Sequence, residues 1–145
     1  MADGDFDDLF DDLEIKGTIT YTLPGVFVHS DKPLALVMKH AGEANPAWKS
    51  MRAKTAAERL AIGGDDDKQR AYNMRVYAQT VIVGWENCNK KDGTPHPYSP
   101  ATAIALFQRL IAKDGADKLG MAFVAASDPA NFRGSPAAAA DALGK

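Results

Sequence analysis

Ile15-Lys-Gly-Thr-Ile-Thr-Tyr-Thr-Leu-Pro-Gly-Val-Phe-Val28 decides the fold class. Thr18, Ile19, Thr20, Tyr21 and Thr22 are β-branched or aromatic, the residue types that suit a pleated, half-buried surface. Pro24-Gly25 fits the two central positions of a type II turn, where Pro presets φ and Gly accepts a positive one. Val26, Phe27 and Val28 are then placed to return as a second strand. A third extended run, Leu34 to Lys39, follows Asp31-Lys32-Pro33. An isolated hairpin is marginal in water, so this β segment must lie on helices or join another sheet.

Working outward toward the C-terminus, the pattern turns helical. Asn45-Pro46 is a cap followed by a first-turn proline, opening a helix through Trp48, Met51 and Arg52 to Arg59 or Leu60. Gly63-Gly64 interrupts it. A second helix starts near Asp66 and is expected to run to about Val83, apolar over most of its circumference and therefore central. Gly84 is read as its end or bend. Ser99-Pro100 repeats the cap-and-proline signal ahead of Ile104, Leu106, Phe107, Leu110 and Ile111. Asp114-Gly115 stops that helix, and a last one, about Ala116 to Ala126, closes at Asp128-Pro129. The fold expected is α+β: a small N-terminal antiparallel β segment, then about four helices, with extended terminal arms. Residues 15–133 form one α+β domain in this reading, between an acidic arm (1–14) and an Ala-rich tail (134–145).

The arm is the sharpest local feature. Asp3, Asp5, Asp7, Asp8, Asp11, Asp12 and Glu14 fall in the first fourteen positions without one Lys or Arg, although the whole chain of 145 residues has a net charge of only −2. The remainder is therefore basic. Phe6, Leu9, Phe10 and Leu13 recur at i, i+3, i+4 and i+7, one face of a helix with carboxylates opposite. Such an arm can dock on its own domain or lie in a partner's groove.

Chemistry-bearing patterns are weak. His29, His40 and His96 stand apart from each other and from Cys88, so no metal-ligand spacing is visible and no metal or cofactor is expected. Asp65-Asp66-Asp67 lacks the alternate oxygen ligands and closing Glu of a calcium loop and reads as helix-start carboxylates. No phosphate loop or nucleophile elbow occurs, and no catalytic residue is assigned. Lys49, Arg52, Lys54 and Arg59 are read as a solvated face and not as a phosphate grip, for no aromatic interleaving supports base stacking. One cysteine excludes an intrachain disulfide. The acidic start is unlike a secretory signal and no long apolar run occurs, so neither export nor membrane insertion is expected.

Tyr77-Ala-Gln-Thr-Val-Ile-Val-Gly-Trp85-Glu-Asn, Lys91-Asp-Gly-Thr-Pro95, Pro97-Tyr98-Ser99-Pro100 and Asp128-Pro-Ala-Asn-Phe132, preceded by Ala41-Gly-Glu-Ala-Asn45, form a further pattern. It resembles a group of small tailed-bacteriophage proteins from morphogenesis gene clusters, over about residues 41 to 133. The resemblance implies a non-enzymatic particle-assembly protein that works by protein–protein binding, such as a tail-assembly chaperone shielding a tape-measure-like protein. The alternative it implies is a subunit of the finished virion, head–tail, capsid- or tail-associated, contacting neighbouring virion subunits. Either places the chain in the host cytoplasm during assembly, with the virion as a second location, and allows oligomers. Phe6, Leu9, Phe10, Leu13, Trp48 and Trp85 are the expected partner-binding anchors.

Overall fold

The computed structural model describes residues 17–133; the acidic arm and the Ala-rich tail lie outside the described residues. The architecture is α+β. A three-stranded antiparallel sheet, β1 (Ile19–Thr22), β2 (Ala35–Met38) and β3 (Ile82–Glu86), runs in spatial order β1-β2-β3. Among the described residues there are five helices: α1 (Pro46–Lys54), α2 (Ala56–Ile62), α3 (Asp66–Val76), α4 (Pro100–Ala112) and α5 (Ala116–Ser127).

β1 forms where Thr18 to Thr22 were expected to, and Gly25 takes the positive φ of 77° that the turn demands. The strand it pairs with is different from the expected one. Ile19 faces Met38 and Tyr21 faces Leu36, so the partner is β2. Val26–Val28 belongs instead to a wide connection. Leu34 N donates to Val26 O and Leu23 N to Leu34 O, a closure that buries Leu23, Val26 and Leu34 and leaves Phe27 exposed. Burial of Leu23 and Leu34 together with Val26 favours this wide connection over a short hairpin.

A second correction concerns the helix expected to reach Val83. α3 ends at Val76, five residues of π-helical turn follow (Tyr77–Val81), and Ile82 to Glu86 is β3. The run Thr80-Val-Ile-Val83 is β-branched throughout, poor in a helix and good in a sheet. Pairing with β2 therefore takes the chain. Gly84 sits opposite Val37 inside the strand and does not stop a helix. Met38 pairs with Ile82, so Val83 is an extra bulge residue, and it remains exposed.

The π-helical turn is where the two halves of the chain are tied together. Such wide turns leave carbonyls without ordinary helical partners. Three are taken from outside: Lys39 N donates to Val81 O at 2.8 Å, Asn45 Nδ2 to Thr80 O at 2.8 Å, and the Tyr98 hydroxyl to Ala78 O. Burial at Ala78 pushes the Tyr98 phenol up to about 12, so it stays protonated and donating.

The expected single helix from Asn45 to Arg59 is two. Thr55 Oγ1 donates to Met51 O at 2.7 Å, and its remaining lone pairs accept the Tyr72 hydroxyl, also at 2.7 Å. That back-bonding, with Thr55 at φ −106° and ψ 19°, breaks the axis between α1 and α2. The capping signals stand where the sequence placed them. Asn45 Oδ1 accepts from Trp48 N, Asp65 Oδ1 from Lys68 N and Ser99 Oγ from Thr102 N. Asp128, expected only to close the last helix, also starts a short 3-10 turn, its Oδ1 accepting from Ala130 N.

The main core lies between the sheet and α4–α5, with Leu36, Met38, Val81, Ala103, Phe107, Ala122 and Ala126 fully or almost fully removed from solvent. A smaller cluster of Ile62, Tyr72 and Val76 lies under α1 and α2, bridged to the main one by Trp48.

Candidate protein-docking surface

Trp48 and Trp85 are both half-buried and belong to separate aromatic groups. On α1, the Arg52 guanidinium lies over the Trp48 ring at 5.4 Å and over Tyr72 at 5.8 Å, while Arg75 covers Tyr72 at 5.5 Å and pairs with Glu58. These are cation–π contacts that hold flexible cations against apolar rings. On β3, Trp85 meets Tyr98 edge-on at 4.9 Å, and its indole N–H is spent on His96 O at 2.7 Å. Trp85 thus closes one end of the core. Phe6, Leu9, Phe10 and Leu13 fall outside the described residues.

A pair of exposed apolar side chains on α5 was not anticipated. Met121 is 63% and Val124 69% exposed, one turn apart on α5. On another side of α5, a groove of about 330 Å³ opens between α3, α4 and α5, with Ile111, Leu119 and Phe123 on its apolar side and Gln69, Arg70 and Asn73 on its rim. Phe123 is fixed there by stacking on Tyr77 at 4.1 Å and by meeting Phe107 edge-on. Gly120 leaves the α5 backbone bare in this groove, and a Cβ built there would meet nothing within 4 Å. Met121 and Val124 could be flagged in the sequence only as helix residues off the buried Leu119–Ala122–Ala126 line. The groove itself joins residues more than forty positions apart.

A second cleft, of about 340 Å³, is polar. Glu43, Trp48, Lys49, Arg52, Ala53 and Arg59 line it. The break at Thr55 puts Arg59 there: its guanidinium turns back to donate to Arg52 O at 2.8 Å, covering the C-terminal end of α1.

The histidines stay apart. His40 is buried, with Nε2 3.2 Å from Ser127 O and its ring edge-on to Phe132; His96 lies beside Trp85; His29 is exposed. Among the described residues, no three His, Cys, Asp or Glu side chains gather as metal ligands. Asp92 is fully exposed, its carboxyl held below the usual range first by the Thr94 hydroxyl and then by the Thr94 N–H. Cys88 is buried, and desolvation pushes its thiol up to about 11. Raising a thiol pKa from 9.0 to about 11 cuts its thiolate fraction near neutral pH about 100-fold. Aromatic-disulfide titration at pH about 8 should therefore show Cys88 reacting at least about 100-fold more slowly in the native protein than after denaturation. Equal rates would mean the thiol is accessible.

Comparison with known proteins settles the broader class. The model of the family described as YdaY prophage protein matches residues 38–145. The chain belongs to the YdaY prophage protein family. No curated protein and no solved structure matches it. The YdaY match takes in all five helices, β3, the α3–α4–α5 groove and the polar cleft on α1, and leaves out β1 and the acidic arm. The chain is thus phage-derived. Among the described residues, no helix is long and apolar enough to cross a membrane.

Proposed function

We propose that this YdaY-family chain is a non-enzymatic bacteriophage particle-assembly protein that acts by binding other phage proteins, in the manner of a tail-assembly chaperone. The observation that carries the reading is the α5 face. Met121 and Val124 stand in water on this helix, which also gives Leu119 and Phe123 to the apolar wall of a groove completed by Ile111. Helices dock into such grooves through apolar anchors one turn apart, with specificity supplied by a polar rim. A long helical partner of the tape-measure kind offers such anchors before tail subunits cover it.

The test fills the groove without touching the core. Gly120→Leu adds bulk where a Cβ has free space and replaces a helix-interior glycine, so the melting temperature should hold or rise. Affinity for the phage partner should fall at least about tenfold, the scale of a lost hot spot. An induced lysogen carrying Gly120→Leu should then yield correspondingly fewer intact particles, and purified wild-type particles should lack the protein by mass spectrometry. Undiminished particle yield would overturn the docking face. Stoichiometric copies in purified particles would replace the chaperone reading with that of a virion subunit.

A further inference from the structure

The polar cleft on α1 carries a net positive charge. Of its charged lining residues, Glu43 is taken by Lys49 at 3.2 Å, leaving Arg52 and Arg59. Arg52 has no carboxylate within ion-pair distance among the described residues; the Trp48 and Tyr72 rings hold it in place instead. Arg59 carries a buried Nε–H with no acceptor among the described residues. An exposed edge of tryptophan flanked by fixed guanidinium groups suits a ligand that is at once anionic and apolar.

Such a ligand is present in the chain, and it is tethered close by. Gly17 and Thr18 line the same small pocket, about 230 Å³, as Ala44, Asn45 and Pro46 at the start of α1. Arg52 is six residues further along that helix, about 9 Å along its axis at the usual rise. The three residues between Leu13 and Gly17 span up to about 10 Å extended. Residues 3–14 therefore begin within reach of the cleft, carrying seven carboxylates together with Phe6, Leu9, Phe10 and Leu13.

We propose that the α1 cleft is the intramolecular seat of the acidic segment Asp3–Glu14. Carboxylates of the segment meet Arg52 and Arg59, with Lys49 adding to the field beside them, and its apolar side chains lie on Trp48. Tethering raises the effective concentration of the segment far above that of any free competitor, so modest contacts suffice. The inference stands apart from the chaperone reading, because the groove on α5 is not involved.

The test uses the full chain with a photoreactive benzophenone amino acid at position 10. Irradiation at about 0.1 M salt should give intrachain crosslinks to the peptide spanning residues 43–59. Raising salt to about 1 M, which shortens the screening length from about 10 to about 3 Å, should reduce their yield. Lys49→Glu, at a position exposed to solvent, should lower the yield about threefold, the worth of an exposed ion pair. Asp8→Lys with Asp12→Lys, which lie in the segment, should do the same, and combining both changes should restore the yield. Crosslinks between chains would assign the cleft to a second copy and overturn the intramolecular seat. Crosslinks to another region, or yields unchanged by charge reversal, would overturn the cleft as receptor. So would binding of duplex DNA by the full chain at about 0.15 M salt that Lys49→Glu abolishes.

Discussion

Replacing Asn45 with alanine should destabilise the protein by about 2–4 kcal/mol. Asn45 is only 4% exposed and does two jobs with one amide. Its oxygen accepts from Trp48 N and so caps α1; its nitrogen donates to Thr80 O at 2.8 Å. Losing the cap costs about 1 kcal/mol. Leaving the buried Thr80 carbonyl without a donor costs about 1–3 kcal/mol more. Urea denaturation should show the midpoint falling with an unchanged slope. Asn45→Asp separates the two jobs, since it keeps the cap acceptor and sets a carboxylate against the Thr80 carbonyl. Its folded-state pKa would be raised above the unfolded value. The protonated acid can donate to Thr80 O, so stability is retained below the unfolded pKa and lost as pH rises through the folded one. Relative to the parent, Asn45→Asp should therefore recover as the pH falls toward the unfolded-state value of about 4. A pH-independent difference would show that the Thr80 link is unimportant.

Phe107→Ala should cost about 3–5 kcal/mol, a large share of the usual stability of a domain this size. The side chain is completely buried in the main core, in a T-shaped arrangement with Phe123 at 6.2 Å between ring centres. Truncation leaves a cavity that the surrounding Leu36, Ala103 and Ala122 cannot fill, whereas Phe107→Leu keeps most of the volume and should cost only about 1 kcal/mol. Because Phe123 also lines the α5 groove, the alanine variant should lose partner affinity beyond its loss of folded population. A leucine variant as destabilised as the alanine one would place the main energy elsewhere.

Features governed by neighbours in the chain could be read from the sequence. Asn45-Pro46, Asp65 and Ser99-Pro100 set their helix starts, and Asp128-Pro129 closes the last helix, because such signals act over two or three residues. Gly25 met the turn for the same reason. Features decided at a distance were misread. Thr80 to Val83 carries an apolar pattern that suits either helix or strand, and only β2, over forty residues earlier, decides between them. Thr55 breaks α1 from α2 because Tyr72, on another helix, supplies the hydroxyl that holds it. The candidate surfaces follow the same division. Trp48 and Trp85 are conspicuous as bulky residues, yet Trp85 proves to be a lid on Tyr98. The α5 groove draws on three helices and has no contiguous signature.

The strand order has a further consequence during synthesis. β2 lies in the middle of the sheet, but one of its neighbours is made before it and the other some forty residues later. At ordinary translation speeds that interval lasts roughly 2–10 s. Throughout it, the nascent chain presents Leu34, Leu36 and Met38 on a ribbon with one unsatisfied side, the arrangement most apt to recruit a strand from a neighbouring polysome product. Emergence of Ile82 to Glu86 ends that exposure, while the turn after α3 and the main core still await Tyr98 and the last two helices.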